Sequence, residues 1–131
     1  MITKSHSIFY VKDQNLSADF YSKLFCLVPS LNVPGMTEFE ISETTILGLM
    51  PADGIKRLLG NKVSVSAPSE NEIKAELYLI VDSTVIYCER ALLLGATQLS
   101  EIKERDWGHK AAYFLDPDNY VIAFAEEIER G

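Results

Sequence analysis

Two hydrophobic rhythms run along this chain, one with period two and one with a helical period, and they succeed each other in the same order twice. Residues 6–12 (HSIFYVK) alternate, which places Ser7, Phe9 and Val11 on one face of a strand and His6, Ile8 and Tyr10 on the other. Asp13 follows as a helix N-cap, since its carboxylate can accept from the free amides of a first turn. Leu16, Phe20 and Leu24, with Tyr21 and Phe25 beside them, make the apolar stripe of an amphipathic helix over residues 14–25. A short strand is expected within 27–35, ended by Pro34-Gly35. Strands over 36–41 and 45–50 follow, joined by the turn Ser42-Glu43-Thr44. This first half reads β-α-β-β-β.

Residues 51–74 break the pattern, being punctuated by Pro51, Gly54, Gly60 and Pro68; they are expected to be a connector, with a short helical turn around 55–59 and the character of a lid or loop. The pattern then restarts. AELYLIV (75–81) alternates, with Leu77, Leu79 and Val81 on one face and Glu76, Tyr78 and Ile80 on the other. STVIYCERALLL (83–94) reads as a helix closed by Gly95 in the left-handed conformation, and residues 96–102 read as a strand. The chain closes in a hairpin. Its arms are 109–115 and 120–125, and its turn is Asp116-Pro117-Asp118-Asn119. Asp can bond the amides ahead of it, Pro pre-sets φ, and Asn tolerates a left-handed backbone. A shift of 70 residues lays Val11 on Val81, His6 on Glu76 and Phe9 on Leu79, while Leu47, Gly48 and Leu49 match Ile122, Ala123 and Phe124. Tyr10 and Tyr78 are taken as equivalents within the repeat. The expected fold class is α+β, one domain of two tandem β-α-β-β-β modules, about 5–50 and 75–127, around the connector.

Composition narrows the function. With 131 residues and 47% hydrophobic content the chain can bury a core of its own. A net charge of −7 and no Lys/Arg cluster argue against nucleic acid. No apolar run is long enough to span a membrane, and the first residues lack a signal-peptide pattern, so a cytoplasmic protein is expected. Cys26 and Cys88 both fall in expected helices and read as reduced, partly buried thiols. Nucleophile-triad, phosphate-loop and dinucleotide patterns are missing.

Three stretches carry a family resemblance: FYVKDQNLSADFYSKLF (9–25), AELYLIVDSTVIYCERALLLGA (75–96) and RDWGHKAAYFLDPDNYVIAFAE (105–126). In paired order they resemble the vicinal oxygen chelate superfamily of glyoxalases, bleomycin resistance proteins and dioxygenases. The Trp-Gly turn and Asp-Pro-Asp hairpin of the third are similar to the bleomycin-resistance-like and glyoxalase-like branch. The family usually has Gly at the position of Asn119, and its first helix often ends at Gly where this chain has Cys26, which implies a slightly different helix exit. The resemblance implies two curled sheets lining one cleft, and pairing as a homodimer. It also implies metal ligands on the first and last strands of each module, at His6, Gly48, Glu76 and Ala123. Only His6 and Glu76 have donor atoms, whereas a catalytic metal takes three protein ligands. A third would have to come from His109, Glu38, Glu40 or a substrate atom.

The expected function is therefore a small-molecule binding or sequestering protein of the bleomycin-resistance-like type, associated with antibiotic resistance. No cofactor is expected, a divalent metal being the one the resemblance allows. Tyr10, Tyr78, Trp107 and His109 are the candidate ligand-binding residues. Trp107 is a stacking wall for a planar ligand or a plug of its loop, and the tyrosines are hydroxyl donors or packing groups. His6 is half of a metal site or a polar side chain with a hydrogen-bond partner; Glu76 is its partner or an exposed strand-end carboxylate. Arg105 is expected to form a surface pair with Asp106, the alternative being that it holds a carboxylate or phosphate of the ligand. The alternative functions are a metal-dependent lyase, isomerase or dioxygenase, or a subunit acting through its dimer surface. In that last case the leucine run 91–94 would serve an interface, although core packing explains it more simply.

Overall fold

The structure, a computed structural model, describes residues 1–62, 72 and 74–129. It divides into two compact units, Met1–Ala67 and Pro68–Gly131. The first unit runs β1 (Ser5–Val11), α1 (Gln14–Phe25), β2 (Leu31–Val33), β3 (Met36–Ser42), β4 (Thr45–Pro51) and α2 (Ala52–Leu59), then a 3-10 turn over Gly60–Lys62. The second runs β5 (Glu76–Ile80), α3 (Thr84–Leu93), β6 (Thr97–Glu104), β7 (His109–Leu115) and β8 (Val121–Glu127). The sheets have the same topology, β1-β4-β3-β2 and β5-β8-β7-β6. In each, the first and last strands pair parallel and the remaining pairs are antiparallel. The α+β class and the tandem modules are as the rhythm predicts.

Register makes the repeat exact. Ser7, Ile8 and Phe9 pair with Leu47, Gly48 and Leu49; Leu77, Tyr78 and Leu79 pair with Ile122, Ala123 and Phe124. One expectation fails here: the equivalent of Tyr78 is Ile8, and that of Tyr10 is Ile80. The two tyrosines fall on equivalent strand faces because Tyr10 lies two residues from Ile8, the counterpart of Tyr78, but they stand one pleat repeat apart.

The helix caps repeat as well. Asp13 accepts from the Leu16 amide at 3.1 Å and Ser83 from the Ile86 amide at 3.3 Å. At the other end, the Leu27 amide returns to the Ser22 carbonyl and the Ala96 amide to the Ala91 carbonyl. Each closure needs a left-handed residue just before it. Gly95 takes φ 83 and Cys26 takes φ 53. The expectation of a different exit from α1 is thus corrected: Cys26 adopts the left-handed geometry itself, outside the helix, and its thiol is exposed, whereas Cys88 is buried. Burial raises the Cys88 thiol pKa above its ordinary value.

In the first unit, Phe9, Val11, Leu47 and Leu49 of the sheet and Phe20, Tyr21 and Leu24 of α1 are buried. Each such side chain contributes roughly 1.5–3 kcal/mol by leaving water. Leu16, expected in the stripe, is 54% exposed, and Ser17 takes the buried place with its hydroxyl unpartnered. Helix α2 begins directly at Ala52, so the expected turn at 55–59 is the end of a longer helix that buries Ile55. The rest of the expected connector and lid, at 63–71 and 73, lies outside the described residues. The second unit buries Leu77, Cys88, Ala91, Phe114 and most of β8. Core packing does not account for Leu92 and Leu93, which are 51% and 88% exposed. The hairpin turn follows its chemistry: Asp116 Oδ1 accepts from the Asp118 and Tyr120 amides, and Asn119 takes φ 66. Among the described residues no helix is long and apolar enough to cross a membrane.

Candidate functional site

Strand β5 is an edge of the second sheet. Its pleat buries Leu77 and gives Glu76, Tyr78 and Ile80 the opposite face. Ala123 on β8 is in register with Tyr78 on one side and with Tyr113 of β7 on the other. Two phenol rings therefore flank a fully buried methyl group on one sheet face. Strand β7 begins at His109, straight after a turn in which the Arg105 amide bonds the His109 carbonyl at 2.7 Å and the Gly108 amide bonds the Arg105 carbonyl at 3.3 Å. Gly108 allows this turn with φ 87. The turn carries Trp107, which is 56% exposed.

Three of these side chains form one hydrogen-bonded group. The Trp107 Nε1–H donates to Tyr78 Oη at 2.8 Å, and the same hydroxyl lies 2.7 Å from His109 Nδ1. The Tyr78 and His109 rings are stacked, with centroids 5.7 Å apart and planes 28° apart. Beside them, burial holds the Tyr113 phenol above its ordinary pKa; Glu76 and Tyr78 push it the same way, and Arg105 opposes them. Tyr113 was not singled out in the sequence, although the hairpin turn alone sets its register against Ala123.

Arg105 is not the surface partner of Asp106 that the sequence suggests. Its guanidinium donates to the Ala111 carbonyl at 2.8 Å, to Ser100 Oγ at 2.9 Å and to the Glu101 carbonyl at 3.1 Å. The β6–β7 register shifts between Ser100 and Lys103, and the side chain takes up a carbonyl from that irregular stretch. It also covers the Tyr113 ring, 5.1 Å from its centroid. Arg105 is framework: it ties the base of the Trp107 turn to the sheet.

In the first unit His6 and a half-buried Tyr10 share one face of β1. His6 Nδ1 lies 3.5 Å from Glu38 Oε2, and Glu38 is in register with Gly48. A Cβ placed on Gly48 would lie 2.6 Å from Ile8 Cδ1 and 3.2 Å from Met36 Sδ. In the second unit Glu76 is exposed at the start of β5. These positions test the metal that the resemblance allows. His6 is paired with Glu38, Gly48 is roofed by Ile8 and Met36, and Ala123 is flanked by two tyrosines. Ile8 and Met36 occupy the space into which a side chain at position 48 would project, and Ala123 offers only a methyl group. Among the described residues no group of three or more His, Cys, Asp or Glu is arranged to hold an ion. Of the four implied positions only His6 and Glu76 carry donor atoms, two where a catalytic metal takes three.

A hollow of about 430 Å³ opens in the first unit between the start of α1 and the β2–β3 turn, lined by Asp13, Gln14, Asn15 and Asn32 among others. Its polar groups serve each other. Gln14 Nε2 donates to the Val33 carbonyl and Thr37 Oγ1, Gln14 Oε1 accepts from the Gly35 amide, and Thr37 donates to Asn32. That network ties the hairpin to the helix and leaves the second unit's aromatic face as the candidate site.

A family model described as the Glyoxalase/Bleomycin resistance protein/Dioxygenase superfamily matches residues 5–124. No curated protein matches the sequence. Several solved structures are similar. A glyoxalase/bleomycin resistance protein/dioxygenase from Nocardioides is 22% identical with a TM-score of 0.76, over 100% of this chain and 85% of that one. A family enzyme from Burkholderia phytofirmans PsJN is 19% identical with a TM-score of 0.80, over 95% of this chain and 98% of that one. A glyoxalase-related enzyme from Fulvimarina pelagi is 19% identical with a TM-score of 0.79, over 94% and 86%. At these identities the likeness shows the fold alone.

Proposed function

The chain belongs to the glyoxalase/bleomycin resistance protein/dioxygenase superfamily, and from that premise we propose that it binds or sequesters a planar small molecule on the aromatic face of its second unit, through Tyr78, Trp107 and His109. The supporting observation is the anchoring of Trp107. An exposed loop tryptophan is ordinarily free to change rotamer, but this one spends its only donor on Tyr78. Its ring is a wall set in place before a ligand arrives, and such pre-organisation lowers the entropic cost of binding. The exposed carboxylate of Glu76 and the chain's net charge of −7 favour a cationic ligand over an anionic one. Metal-dependent chemistry is not part of this proposal, because Gly48 and Ala123 at the implied ligand positions on β4 and β8 have no donor atoms.

Calorimetry with N-methylquinolinium as the planar cation and quinoline as its neutral counterpart tests the assignment. Saturable binding of the cation is expected, and Trp107→Ala should weaken it about tenfold, the loss of roughly 1.4 kcal/mol of stacking. Absence of binding by both compounds, or equal affinity in Trp107→Ala, would remove the site.

A further inference from the structure

Resting on that site, we infer that Trp107 and Tyr78 act as positioning residues that hold His109 as an Nε2–H donor, aimed at a carbonyl oxygen on a planar, cationic ligand. The argument is one of proton direction. An indole Nε1–H can only donate. Tyr78 Oη, 2.8 Å away, is therefore its acceptor. Giving its one proton to the other close partner, His109 Nδ1 at 2.7 Å, lets the hydroxyl accept on one side and donate on the other, the arrangement in which the two bonds reinforce each other. A neutral imidazole that accepts at Nδ1 carries its proton at Nε2.

The bond to Tyr78 uses Nδ1 and leaves Nε2 as the ring's second polar atom, and His109 is only half-buried, so that donor can reach a ligand. The neighbours complete the description of what would bind. Trp107 offers a ring face. Glu76 places a negative charge near the Tyr113 hydroxyl, where it disfavours an anionic ligand. Tyr78, with its hydroxyl engaged on both sides, supplies ring surface and no donor of its own. A heteroaromatic cation bearing a carboxamide or ketone satisfies all three; a carboxylate satisfies the donor and is repelled by the charge.

Two measurements on the full chain test this. The chain has two histidines, so the His109 imidazole is readily assigned by 15N-detected NMR. The expected spectrum shows the Nε2–H tautomer with Nδ1 as a hydrogen-bond acceptor, and Tyr78→Phe should shift the Nδ1 resonance toward that of a free acceptor while the fold is retained. An Nδ1–H tautomer in the unmodified protein would overturn the inference. The second measurement uses quenching of Trp107, the chain's one tryptophan, by 1-methylnicotinamide and by N-methylpyridinium, which lacks the carbonyl. We expect at least fivefold tighter binding of the former, abolished by His109→Phe. Equal affinities would overturn the carbonyl donor while leaving the planar-cation site standing. Failure of both probes to bind would remove the site and the inference together.

Discussion

The two units share a strand order and the register of their parallel strand pairs, and differ in what they put on one face of the sheet. Register makes Ile8 the counterpart of Tyr78, Gly48 of Ala123, and Glu38 of Tyr113. In the first unit that row is an aliphatic side chain, a bare backbone and a carboxylate reaching to His6. In the second it is two phenols flanking a methyl group, with an indole and an imidazole hydrogen-bonded at one end. The buried sides are alike: Phe9 and Leu79, Leu47 and Ile122, Leu49 and Phe124 are apolar in both. Core chemistry is constrained by packing, so it persists through the repeat; the opposite face is free of that constraint and carries the divergence.

The sharpest way to break the comparison is to give the first unit the second unit's methyl. Gly48→Ala puts a Cβ where Ile8 Cδ1 already lies, at a separation of 2.6 Å. It should destabilise the protein by about 1.5 kcal/mol, toward the low end of the cost of overpacking, because a side-chain tip can give way where backbone could not. The offending atom is the tip of one side chain, so Ile8→Val, which deletes that Cδ1, should restore most of the loss in the double variant. Urea denaturation of the four proteins in this cycle measures the coupling. Additive effects would mean that Ile8 does not fill the space over Gly48.

A smaller effect is expected at the helix exits, where the units agree in geometry and differ in residue. Cys26 sits at φ 53 and its counterpart Gly95 at φ 83. A side chain in the left-handed region costs roughly 1–2 kcal/mol, partly offset by the greater freedom of Gly in the unfolded chain. Cys26→Gly should therefore stabilise by about 1 kcal/mol, read as a higher urea midpoint at unchanged slope. A lower midpoint would show that the thiol side chain contributes more at this corner than its strain costs.

These comparisons also show what was legible in the sequence. Asp13, Gly95 and Asn119 act on their own neighbours within five residues, so their types alone announce two caps and the turn; Ser83, expected inside the helix, is its N-cap instead. Leu16 misled because Leu16 and Ser17 are adjacent on the helix and either could open the buried stripe; the sheet that decides between them is distant in sequence. Helix α2 was underestimated because Asp53 and Gly54 in its first turn read as loop residues and it buries only Ile55. Trp107, Tyr78 and His109 were each noticed, but not their bonding. Twenty-nine residues separate Trp107 from Tyr78, and contacts at that range follow from strand order and register. Arg105 was misread for a related reason: the carbonyls it satisfies are exposed by a register shift that no residue type announces.

The mildest expected difference between the units lies at the starts of their helices. Glu126 on β8 accepts from the Thr84 amide at 2.9 Å and from the Thr84 hydroxyl at 2.7 Å, pinning α3 to its sheet. The first unit has nothing comparable, because Glu126 corresponds to Pro51, and the counterpart of Thr84 is Gln14, whose side chain goes to the β2–β3 turn instead. The two Thr84 bonds, with help from Lys110, hold the Glu126 carboxyl below its ordinary value of 4.5. A folded-state pKa lowered in this way contributes stability that is fully present above the unfolded carboxylate value and lost as pH falls through the folded one. Glu126→Gln keeps an acceptor for Thr84 but removes the charge, so it should leave the protein slightly less stable at neutral pH and make its acid-side decline shallower. Urea midpoints across pH 7 to 3 for the two proteins should converge toward the acid end as the native carboxylate is protonated. Parallel curves would mean that the charge of Glu126 contributes nothing that Gln does not supply, and that α3 is held by its Ser83 cap alone, as α1 is by Asp13.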